Sequence, residues 1–123
     1  LITIQSTSPY HAKESFIAIK NTVEASGFNH VEQYHDNVPS FGEWGWTVAS
    51  KLGAKPSIRL KNLNQLPVDH NWLTLEMILS AFHFPKEFYA DKEEVGINYL
   101  GSHKLYQLHQ KAWLDQHGSN TFN

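Results

Sequence analysis

The sequence has 123 residues, 41% of them hydrophobic and 13% aromatic, which is enough for one globular core and too little for two, so a single domain over 1–123 is expected. A formal net charge of -2 argues against a basic phosphate-binding surface, and so against nucleic acid as a partner. Having no cysteine excludes disulfides, thiolate nucleophiles and cysteine-bound zinc, and fits a cytoplasmic setting.

No apolar run approaches the roughly 20 residues that span a bilayer, so no membrane contact by this segment is expected. LITI has the pattern of a buried strand from its first residue, which leads us to expect a longer parent protein. Residues 1–5 predict a short strand that ends near Gln5, before the turn-forming STSP. Ala12, Phe16, Ile19 and Val23 recur at helical spacing, Lys20 can pair with Glu24, and Gly27 suits the stop. Residues 30–38 and 43–51 read as two strands joined through PSFG, with Pro39 at a strand end because it cannot donate to a ladder. Residues 52–70 read as a solvated connector in which Lys51, Lys55, Arg59 and Lys61 lie near or within it. A helical part follows over 71–118. It has one face of Leu75, Ile78, Leu79 and Phe82 ended by Pro85, then a last helix capped by Ser102 and stopped at Gly118, with SNTFN as a frayed tail.

Eight histidines raise the question of a metal site. His103 and His117 would lie roughly 21 Å apart along a helix, and the six-residue step from His103 to His109 turns about 240°. His30 and His35 fall on opposite faces of a strand, so no metal site is assigned. Ser6 and Ser8 follow a strand, but the G-x-S-x-G elbow is missing, and GEWGW is not a phosphate loop. No complete catalytic set is present, and the catalytic residues of this chain are given as none.

The stretch VPSFGEWGWTVASK permits two readings, a strand packed in a core or the wall of a binding site. Alternation puts Trp44, Trp46 and Val48 on one face and Glu43, Gly45, Thr47 and Ala49 on the other, so one side is bulky and the other small enough for close approach by a helix or ligand. Gln5 and Glu43 sit at strand ends, where sites in open α/β sheets gather.

LITIQSTSPY, a helix and YHDNVPSFGEWGWTVASK together resemble the C-terminal half of the spermidine synthases, the polyamine aminopropyltransferases. The likeness is nearest to long bacterial members in which membrane-spanning segments precede the enzyme domain, and LEMILSAFHFP, VGINYL and a helix near Trp113 extend it downstream. The resemblance implies an α/β fold: the C-terminal half of a Rossmann-like, S-adenosylmethionine methyltransferase-like sheet, with an antiparallel strand pair and C-terminal helices. It implies aminopropyl transfer from decarboxylated S-adenosylmethionine to a putrescine-like diamine, with the co-substrate's site mostly outside this chain and no metal. Gln5 corresponds to the family's glutamine near the amine, and Phe41 takes the place of the aromatic that flanks it, here without a hydroxyl. Glu43 would be an electrostatically sensible neighbour for a cationic amine.

The glycine-rich cofactor loop and paired aspartates of the family have no match here, since Asp91, Glu93 and Glu94 follow FYA and not a strand end. The chain is therefore expected to be inactive alone, to be cytoplasmic with a parent anchored through upstream segments, and to form a homo-oligomer through the apolar edge of residues 1–5. The alternatives are a non-catalytic methyltransferase-like domain for amine binding or protein association, and a methyltransferase relative with another acceptor.

Overall fold

In the computed structural model residues 1–98 and 101–117 are described. Strand β1 (Ile2–Gln5) leads through a turn-rich loop to helix α1 (Lys13–Ala25), followed by the hairpin of β2 (His30–Val38) and β3 (Gly42–Ser50). Four helices complete the chain: α2 (Pro56–Lys61), α3 (Leu75–Ser80), α4 (Lys92–Val95) and α5 (Lys104–His117). The sheet has the order β1-β3-β2, and β3 runs antiparallel to both neighbours, so β1 and β2 run parallel with the reversed strand between them. This mixed α/β arrangement is that of a partial Rossmann-like sheet with helices at its C-terminal side of the chain.

Within 52–70, expected to be a connector, Pro56–Lys61 forms α2. Pro56 stands at the helix start, where its missing N–H is no loss. Arg59 is exposed yet bound to the protein: Nη2 donates to Ser50 Oγ at 3.0 Å and Nε to Ala54 O at 3.1 Å. Helix α3 ends at Ser80, earlier than its apolar spacing suggested, and the short α4 had no sequence signal. Ser102 lies just ahead of α5 and its Oγ accepts the Lys104 N–H at 3.4 Å. The expected stop at Gly118 and the tail SNTFN lie outside the described residues.

The two faces of β3 differ as their side chains require. On the small face Phe16 of α1 lies over Gly45 so closely that a Cβ at this position would sit far inside van der Waals contact with the ring. Phe16, Ile17 and Ala18 of α1 form the core with Phe88 and Val95, and Phe84, Tyr89, Leu105 and Leu108 pack around it. On the bulky face Tyr34 and Trp46 stack at 5.5 Å with Phe82 beside them. A cavity of about 500 Å³ opens there, between the sheet and α2 and α3.

A buried chain of side-chain hydrogen bonds joins these layers. Tyr89 Oη donates to Gln33 Oε1 at 2.9 Å, and Gln33 Nε2 donates to Phe16 O at 2.7 Å and to Thr47 Oγ1 at 2.8 Å. Ser6 Oγ donates to Ile4 O at 2.9 Å, so the 2.8 Å contact between Thr47 and Ser6 takes its hydrogen from Thr47. Ser6 and Thr47 are fully buried, and Gln33 nearly so.

Replacing Thr47 by Val keeps the shape but leaves one Gln33 N–H without its acceptor and Ser6 without its donor. Chemical denaturation should show Thr47→Val to be less stable by about 1 to 3 kcal/mol; an unchanged midpoint would mean that the buried chain adds nothing to stability.

Candidate functional site

The candidate residues lie where β1 ends and the β2–β3 hairpin turns. Gln5 is exposed and opposite Trp46, and pairing continues beyond the strand through Ser6 N–H to Gly45 O at 2.9 Å and Gly45 N–H to Thr7 O at 2.7 Å. Thr7 has φ 64, a left-handed conformation that a β-branched residue rarely adopts. The surrounding pairs hold it there, which is a common condition of backbone near functional sites.

The hairpin turn follows from PSF. Phe41 N–H bonds to Val38 O at 3.0 Å, Pro39 fits the second position of the turn, and Ser40 takes φ 83 at the third, as a type II turn demands. Phe41 is thereby presented at the tip, 72% exposed, with its ring 5.9 Å from that of Trp44. The Trp44 Nε1 is buried with no hydrogen-bond partner among the described residues.

Glu43 sits on the other face. The register sets His35 opposite Gly45 and Asn37 opposite Glu43, so His35 and Glu43 are diagonal neighbours on the small face of β3. The Glu43 carboxylate contacts His35 Nδ1, and His35 Nε2 donates to His83 O at 2.7 Å. Tyr10 closes the group with its ring edge-on to His35 at 5.7 Å. Desolvation, and then the nearby charge of Glu43, hold the Tyr10 phenol above its usual pKa.

The structure brings Gln5 and Phe41 to the face that carries Trp44 and Trp46, while Glu43 joins His35 and Tyr10 on the opposite side of the sheet. His35 and Tyr10 were not picked out from the sequence. The signal for His35 was present: once the three residues 39–41 make the turn, the pairing of Val38 with Gly42 fixes every partner along the hairpin. Tyr10 reaches the group through the loop after β1, which no periodicity describes. Asp91, Glu93 and Glu94 lie at or in α4, and no group of three or more His, Asp or Glu able to hold a metal occurs among the described residues.

No family model matches the chain. A polyamine aminopropyltransferase of Shewanella oneidensis is 48% identical over 121 residues, which are 98% of this chain and 21% of that protein. Polyamine aminopropyltransferases of Oceanobacillus iheyensis and Leptospira interrogans are 33% and 34% identical over 91% and 92% of the chain. The chain spans about a fifth of the length of the curated relatives it matches.

Ser40→Gly should raise stability by about 0.5 to 1 kcal/mol, the relief of a left-handed serine less the extra chain entropy of glycine. Ser40→Val should lower it, and thermal melts of the pair provide the check. Equal melting temperatures for both variants would show that the turn is not held in the left-handed conformation.

Proposed function

We propose, for a chain that belongs to the polyamine aminopropyltransferase family, that it supplies the wall against which the acceptor amine lies in a spermidine synthase-like enzyme. What supports this reading is the high identity across nearly the whole chain, with Gln5 opposite Trp46 and Phe41 beside Trp44 at the β2–β3 turn. The full-length protein would transfer an aminopropyl group from decarboxylated S-adenosylmethionine, its co-substrate, to a putrescine-like diamine. Neutral amine nitrogen attacks the carbon beside the sulfonium, a C–N bond forms, and the C–S electron pair returns to sulfur. The nitrogen gives up one proton to a base, for which carboxylates outside this chain are the family's choice.

In this reading Phe41 gives the methylenes of the diamine an apolar surface, and Gln5 accepts a hydrogen bond from one of its nitrogens. Glu43 approaches from the opposite face of the sheet and offers a carboxylate oxygen at the rim. Residues 1–123 act as one unit, the protein works in the cytoplasm, and two copies associate. Among the described residues the outer edge of β1 has no strand partner, and Leu1 is 78% exposed, which favours pairing with a further strand. No helix of the described residues is long and apolar enough to cross a membrane.

Assay of the full-length protein with putrescine and decarboxylated S-adenosylmethionine tests the reading. Gln5→Ala and Phe41→Ala should each raise the KM for putrescine by about one decade, the effect of losing one hydrogen bond or one apolar wall, with little change in the KM of the co-substrate. Absence of turnover with any diamine, or variants that alter only the co-substrate KM, would refute it.

A further inference from the structure

Glu43 does not face its surroundings as a lone anion. One carboxylate oxygen, Oε1, contacts His35 Nδ1, and no partner for Oε2 occurs among the described residues. The other ring nitrogen of His35 lies 2.7 Å from the backbone oxygen of His83. A carbonyl oxygen only accepts, so Nε2 carries a hydrogen. That leaves Nδ1 as the ring atom turned to Glu43 Oε1.

His35 is itself firmly held. Its backbone N–H donates to Ala81 O at 2.9 Å, and its ring lies 4.6 Å from that of Phe84 and edge-on to Tyr10. Main chain and ring are both tied to the segment after α3, and the side chain is only 17% exposed. A carboxylate attached to so fixed a donor has lost its free rotation. Its unassigned oxygen can point in only a narrow range of directions.

We infer that His35 is a positioning residue for Glu43: braced on the His83 carbonyl, its ring holds Oε1 and leaves Oε2 as an aimed acceptor for an ammonium group of the diamine. This rests on the reading of Glu43 as an amine contact. An oxygen held in one direction favours a correctly placed ammonium over a loosely attracted cation.

The test measures KM for putrescine and for decarboxylated S-adenosylmethionine in the full-length protein carrying His35→Phe, His35→Asn, Glu43→Gln, or His35→Phe with Glu43→Gln. Phe keeps the ring packing and removes both donors, whereas the Asn amide can take the place of Nδ1 and still donate to Glu43. His35→Phe should raise the putrescine KM about tenfold and leave the co-substrate KM within about twofold, with His35→Asn recovering most of the loss. The double variant should be no worse than Glu43→Gln alone, since both changes remove one contact. A purely structural His35 would instead change both KM values or only the melting temperature. Should Glu43→Gln raise the putrescine KM while His35→Phe does not, or should the two effects multiply, the positioning role is overturned and the reading of Glu43 stands. A putrescine KM unmoved by Glu43→Gln would overturn that reading, and the positioning role with it.

Discussion

A single direction of hydrogen bonding runs through the interior, from the Tyr89 hydroxyl through the Gln33 amide and the Thr47 hydroxyl to Ser6 and the Ile4 carbonyl. Each group has its donors and acceptors assigned by the next, so the Gln33 amide cannot flip without setting its oxygen against that of Phe16. Buried polar groups that lose a partner are costly, and this makes the chain a condition on the packing of everything it touches. It links α1 to β2, β2 to β3 and β3 to the end of β1, and it draws in the segment that carries Tyr89. The exposed Gln5 is flanked by Ile4 and Ser6, both members of the chain. A flexible-looking surface residue at a strand end therefore has a rigid base.

The second determinant is the asymmetry of β3. Gly45 admits Phe16, and without that approach α1 could not bring its backbone carbonyl within reach of Gln33. Trp46 on the reverse side stacks on Tyr34 and keeps the other face apolar. Small residues on one side and aromatic ones on the other decide which face a helix covers, and the candidate amine contacts are divided between these faces accordingly. The type II turn with its left-handed Ser40 then sets how far Phe41 extends beyond both.

Much of this was legible in the sequence, for local reasons. Hydrophobic spacing marked α1, β-branched residues marked β1, the PSFG turn marked the join between β2 and β3, and Gly27 marked the end of α1 with φ 98. The contrast between Trp44, Trp46 and Val48 on one side and Gly45, Thr47 and Ala49 on the other was readable from alternation alone. Other features depend on distant contacts. Helix α2 has only six residues and is held by an Arg59 that bonds to the strand end and the loop before it, so propensity gave no sign of it. The His35–Glu43 contact needed the register of the hairpin, and the anchor at His83 needed the packing of a segment 48 residues away. Gln5 was placed at the end of a strand by its neighbours, but the face that it shares with Trp46 followed only from the pairing of β1 with β3.

The insertion of β3 between two parallel strands also sets an order of events as the chain is made. Among the described residues β1 has one strand partner, and Ile2 must wait for Ala49, and Gln5 for Trp46. At ordinary elongation rates of about 5–20 residues per second, some two to nine seconds separate the synthesis of the two strands. During that interval β2 has no neighbour either, because its partner is the same β3. The sheet cannot grow from one edge inward; its middle strand is made last and closes both pairs at once. Loop closure over this distance makes formation of the sheet a late, cooperative event, and the backbone edges of β1 and β2 that face β3 stay unpaired until it occurs.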